Sequence, residues 1–143
     1  MKNSQKNLLE AKYVIVPGKM PWDCSYKKTY NQIYEFWKST WEKTFAESGS
    51  PESYWLDHFI RQDFVVALKT EDEVIGVHLY TQYNMDSQAA LDSEYFHYVS
   101  SLARSRLLKS NFKRTMSMEY LCANPEWRYN VQNVGVGLLM GAL

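Results

Sequence analysis

The 143-residue chain has two cysteines, four prolines, six glycines and no net charge. Cys24 and Cys122 share no short spacing, and no secretory leader precedes them. Reduced thiols in a cytoplasmic protein are therefore expected, not a disulfide. Sixteen basic residues balance sixteen acidic ones, so no global field draws the chain to nucleic acid or to an anionic membrane, and neither is expected as a partner. Lys2 and Lys6 are not followed by a signal-length apolar stretch, and no run approaches the length of a membrane helix. Internal repeats, low-complexity tracts and linkers are also missing.

What is present is enough apolar material, 45% of residues, for a single core, so residues 1–143 are expected to form one domain. Eleven tyrosines and five tryptophans supply large, partly polar surfaces that suit cores, grooves and interfaces alike.

The apolar pattern sets the expected elements. The run Tyr13 to Val16, stopped by Pro17 and Gly18, predicts a strand. From Ser25 to about Glu47, Tyr26, Tyr30, Ile33, Tyr34, Trp37, Trp41 and Phe45 recur at helical spacing, and "ESGSP" closes that helix. Ser50, Pro51 and Glu52 fit the start of a short second helix through Trp55 and Phe59. Phe64 to Lys69 and Val74 to about Tyr83, joined by Thr70 to Glu73, predict a β-hairpin. Gly76 inside its second strand is read as a bulge, a close backbone approach or a plain gap in packing. One long helix is expected over Asp86 to Ser110, then a strand from Thr115 to Ala123 ending at Asn124 and Pro125, and after a loop a last helix. The fold class is mixed α/β (α+β).

In "QNVGVGLLMGAL", Gly135 and Gly137 stand where a loop turns into an apolar helix. Glycines there clear side chains from the backbone N–H groups and the positive helix end, which can then face an anion such as a diphosphate. The Lys and Ser/Thr of a P-loop are missing, as is an acidic ribose partner further on. A glycine-tolerant helix start that binds nothing is the plainer reading.

A strand ending in "CAN", the "PEWR" turn, and then Gln132, Asn133, Val134, Gly135, Val136 and Gly137 resemble the acyl-CoA-binding Q/R-x-x-G-x-G/A motif of the GCN5-related N-acetyltransferase (GNAT) superfamily. The resemblance covers nearly the whole chain, with the glycine loop as its specific part. It implies a mainly antiparallel sheet flanked by helices, in the order strand, two helices, antiparallel strands. It also implies acetyl-CoA or a longer acyl-CoA as cosubstrate, held by the backbone of Gln132 to Gly137, and a small-molecule amine as acceptor. Two departures stand out: Pro125 and Arg128 lie further upstream of the glycines than is usual, which leaves the role of Arg128 open. A helical insertion also separates the third and fourth strands, where it would shape the acceptor side.

Acyl transfer to an amine needs the amine deprotonated, its attack geometry held and the oxyanion stabilised. Glu119, on the strand before the glycine loop, is the candidate general base, acting through water; a solvent-facing or salt-bridged strand carboxylate is its plain alternative. Simple alternation groups Glu119 with Ser117 and Leu121 on one face. Cys122 has no spacing to His58, His78 or His97 that would make it a nucleophile, and no metal-ligand pattern exists. The cluster Arg104, Arg106, Lys109, Lys113 and Arg114 reads either as a contact for CoA phosphates or a substrate carboxylate, or as the wet face of a helix end. The Tyr34, Trp37 and Trp41 stripe reads as core or as the lining of a groove.

The resembling fold continues past its CoA helix, and the residues from Tyr129 onward carry no charge and end on "LLMGAL". The expectation is a fold lacking its C-terminal part: a truncated gene product, or one half of a homodimer that covers the exposed C-terminal face. A non-catalytic GNAT-like ligand-binding or protein-interaction domain is the rival function. A synthase of the acyl-homoserine-lactone or long-chain N-acyl amino acid type, marked by a wide apolar acyl tunnel, is a third.

Overall fold

In the computed structural model, which describes residues 10–49 and 56–130, six helices accompany four strands. Strand β1 (Lys12–Pro17) leads to α1 (Lys27–Ser48) and α2 (Asp57–Arg61), and then to β2 (Phe64–Lys69) and β3 (Val74–Asn84). Three short helices follow, α3 (Gln88–Leu91), α4 (Glu94–Tyr98) and α5 (Ser101–Lys109), before β4 (Arg114–Ala123) and α6 (Pro125–Asn130). The strands form one sheet in the order β1-β2-β3-β4, every neighbouring pair antiparallel. The expected α+β class is the observed one, as is the order strand, two helices, antiparallel strands.

Helix α1 forms because its apolar residues share a stripe, and it stops at Gly49, whose φ of 67° is the left-handed geometry that glycine adopts without a Cβ penalty. The stripe buries Tyr30, Ile33 and Trp37 against Val65, Ala67, Val77, Leu79 and Cys122 on one sheet face, with Phe59 of α2 completing the core. Each of the Ile, Val, Leu and Phe side chains taken fully out of water contributes about 1.5–3 kcal/mol. Tyr34 and Trp41 pack at the margin of this core. Gly18, just after β1, runs against the backbone of Phe59 and Gln62 with no space for a side chain, and its carbonyl accepts a hydrogen bond from the buried Tyr30 hydroxyl.

The hairpin matches its sequence reading because its punctuation is local: Thr70 N–H donates to the Glu73 carbonyl at 2.9 Å, closing the turn. A register shift lies beside Gly76, between the pairs Leu68↔Gly76 and Lys69↔Val74, so Ile75 is the extra residue.

Three expectations are corrected. The long helix over Asp86 to Ser110 is three short ones, because Ser87, Ser93 and Ser100 each adopt extended N-cap geometry. Ser87 Oγ accepts from Ala90 N–H and Ser100 Oγ from Ala103 N–H, and such caps restart a helix instead of continuing it. Val99 is extended as well. The "PEWR" turn is the start of α6, with Pro125 at its first position and Asn124 as its cap; Asn124 Oδ1 accepts from Glu126 N–H at 3.0 Å. Finally, Leu121 does not share a face with Glu119, for the reason given below. The start of the second helix at Ser50, Pro51 and Glu52, together with Trp55, lies outside the described residues, as do the last helix and the glycine loop.

Candidate functional site

Strand β4 pairs regularly with β3 up to Leu79↔Glu119 and resumes at Val77↔Cys122. Tyr120 and Leu121 therefore stand opposite the single residue His78, which is a β-bulge. Tyr120 takes it up with a φ of 51°, a left-handed conformation costing a non-glycine residue about 1–3 kcal/mol. The extra residue flips the alternation: Glu119 and Cys122 end on the α1 side of the sheet, and Leu121 on the other.

The strain is held by packing. The Tyr120 ring meets Trp37 and Trp41 edge-on at centroid distances of 5.7 and 5.2 Å, and His58 at 5.1 Å. The indole N–H of Trp41 donates to the Tyr120 carbonyl at 3.4 Å. The Tyr34, Trp37 and Trp41 stripe, read from sequence as core or groove, is core: Trp37 is fully buried, Tyr34 and Trp41 pack against it, and none of the three lines the cavity, whose wall is reached from α1 by Phe45.

That cavity, of about 600 Å³, opens beside the bulge. Its floor is the sheet, with Thr81 and Tyr83 from β3 and Glu119 and Tyr120 from β4. One wall is α2 with the following turn, carrying His58, Arg61 and Gln62. The other is the insertion between β3 and β4, carrying Ser93, Glu94, Tyr95 and Tyr98. The size is within the usual range for a small-molecule site. Polar groups are fixed: the buried Ser117 hydroxyl donates to Glu119 Oε1 at 2.7 Å, and Thr81 Oγ1 donates to Gln62 Oε1 at 2.9 Å. Tyr83 stacks on Tyr95 and meets Phe96 edge-on, tying the insertion to the sheet.

Glu119 is half-buried, and its only described partner is Ser117. Ion pairs among the described residues join Lys38 to Glu42, Lys43 to Glu47, Arg61 to Asp57 and Lys113 to Asp86; none engages Glu119 or Glu94. Burial, and after it the Glu119 and Glu94 carboxylates, push the Tyr120 phenol up. Burial also raises Tyr83.

Other candidates from sequence take plainer roles. Cys122 is buried, and desolvation pushes its thiol up to about 12, so it is a packing residue and not a nucleophile. No group of three or more His, Cys, Asp or Glu among the described residues could hold a metal ion. Of the basic cluster, Lys113 pairs with Asp86 at 2.9 Å, α5 buries none of its residues, and no member of the cluster lines the cavity. Among the described residues no helix is long and apolar enough to cross a membrane. Gln132, Asn133, Val134, Gly135, Val136 and Gly137 lie outside the described residues, and the side chain of Arg128 is likewise not described.

Sequence reasoning placed Glu119 correctly on β4 and anticipated that the insertion would shape this side of the molecule. It missed His58 and Glu94 as cavity residues. Both sit on five-residue helices, too short for a periodicity signal. The one local cue, for Glu94 alone, was its place beside three aromatic residues in "SEYFHY". No protein-family model, curated protein or solved structure matches this chain.

Proposed function

We propose that the chain is an acyl-CoA-dependent N-acyltransferase-like protein, transferring an acyl group from a CoA thioester to a primary amine bound in the cavity. The observation that carries this reading is Glu119: a carboxylate with no ion pair among the described residues, oriented by Ser117, at the edge of a strained bulge and inside a cavity large enough for an acceptor. In the reaction the amine nitrogen attacks the thioester carbonyl, the C–S bond breaks, and the proton lost by the amine passes through water to Glu119. The thiolate leaves and is protonated by solvent. A bulge interrupts the ladder and can release a backbone N–H from strand pairing, and such a donor would polarise the thioester carbonyl, a contribution that grows in a site shielded from water. The donor half is assigned, on the resemblance, to Gln132 through Gly137.

The test begins with calorimetric titration of the full chain with acetyl-CoA and with a long-chain acyl-CoA, followed by an amine screen for thiol release. Saturable binding and turnover are expected. Glu119→Gln should lower kcat by about 10²-fold or more while leaving acyl-CoA affinity unchanged. Binding without turnover on any amine would leave a ligand-binding domain, and no binding by folded protein would end the reading.

A further inference from the structure

We propose that the acceptor is a dicationic amine: a primary amine whose nucleophilic end reaches Glu119 while a second positive centre is held at Glu94 among the tyrosine rings of the insertion. The inference rests on the acyltransferase reading for the word acceptor, but its binding part stands on the cavity itself.

The two carboxylates enter from different walls. Glu119 comes from the sheet floor, and Glu94 from the first turn of α4. Neither is engaged by a cation among the described residues, and both lie close enough to Tyr120 for their fields to act on its phenol. Four phenol rings, those of Tyr83, Tyr95, Tyr98 and Tyr120, line the same space. Ring faces attract an organic cation, most strongly where water is displaced. The opposing charges do not cancel this arrangement. The Arg61 guanidinium is already engaged by Asp57 at 3.4 Å, and the His58 ring lies against Tyr120. A cavity of about 600 Å³ exceeds what one ammonium group needs, which leaves length for a chain or ring between two charged ends. One carboxylate, Glu119, would serve a monoamine. Glu94, on a separate element and beside Tyr95 and Tyr98, has no use for it.

The test compares three amines of similar length on the full chain: cadaverine, with a cation at each end; n-pentylamine, with one; and δ-aminovalerate, whose far end is a carboxylate. Calorimetric binding without acyl-CoA is measured first, then kcat/KM with it. Cadaverine should bind about twofold to fivefold more tightly than n-pentylamine, as an ion pair at an exposed carboxylate implies, and δ-aminovalerate should be the weakest. Glu94→Gln should bring cadaverine binding down to the level of n-pentylamine. Glu94 is exposed, so this variant is expected to fold, and Tyr98→Leu, which keeps bulk but loses the ring face, should narrow the same gap. Equal binding of the three amines, or a cadaverine preference that survives Glu94→Gln, overturns the proposal even if acyl transfer is found. Glu94-dependent cadaverine binding with no acyl transfer keeps the dication site and removes the acyltransferase reading instead.

Discussion

A methyl group added at Gly18 should be one of the most damaging small changes in this protein. An alanine Cβ there would stand 2.1 Å from the Gln62 carbonyl oxygen and 2.9 Å from the Phe59 carbonyl oxygen, well short of the 3.4 Å at which ordinary contact begins. Both neighbours are backbone, fixed by α2 and by the turn into β2, so no side chain can rotate away. Overpacking of this kind costs about 1–3 kcal/mol. The shift would also disturb the hydrogen bond from Tyr30 to the Gly18 carbonyl, worth about 1 kcal/mol. The sum, about 2–4 kcal/mol, is a large share of a typical domain's stability. Urea unfolding followed by tryptophan fluorescence should show Gly18→Ala with a midpoint lowered by roughly 1–2 M at an unchanged slope. The control is Gly49→Ala, where the new methyl meets nothing within 4 Å and only the left-handed φ of 67° is penalised, at about 1–2 kcal/mol. If Gly18→Ala unfolds with the wild-type midpoint, or is milder than Gly49→Ala, the close approach of β1 to the α2–β2 junction is not as described. Because Gln62 lines the cavity, Gly18→Ala should also weaken amine binding.

Two further outcomes are expected. His78 is fully buried on β3 with no hydrogen-bond partner for Nε2 among the described residues, and burial lowers its pKa from 6.5. The unfolded chain therefore takes up this proton first as pH falls, so stability is full above about 6.5 and declines below it toward the folded-state pKa. His78→Phe should flatten that part of the urea-midpoint profile measured between about pH 7.5 and about pH 5, and an identical profile would refute the assignment. With a thiol reagent at about pH 8, Cys24 should react in the folded protein and Cys122 only at the rate of unfolding, since its thiolate is suppressed. Fast reaction of both thiols would contradict the burial of Cys122.

What was legible in the sequence follows from how local the cause is. The hairpin is written in adjacent residues: two β-branched runs and the polar turn from Thr70 to Glu73. Helix α1 is written in a stripe long enough to show its period. The breaks at Ser93 and Ser100 were hidden because Leu91, Tyr95, Tyr98 and Leu102 mimic one continuous helical face, while the extended serine backbone that interrupts it carries no apolar signal. The bulge at Tyr120 was hidden more deeply. Its left-handed backbone is imposed by partners far away in sequence, Trp37, Trp41 and His58, and nothing in "MEYLCA" announces it. Glu119 could be placed on its strand from sequence, but its neighbours could not, because one inserted residue reverses every side chain that follows it.

The jointed form of the segment between β3 and β4 has an evolutionary consequence. A single long helix transmits a change at one end along its whole length, whereas three short helices with their own caps can be lengthened, shortened or exchanged one joint at a time. Glu94, Tyr95 and Tyr98 all ride on the middle joint, which is moored to the sheet chiefly by Phe96 and Tyr95 against Tyr83. Descendants of this protein could therefore reline one wall of the cavity by rewriting five residues, with Glu119 and the strand beneath it left untouched.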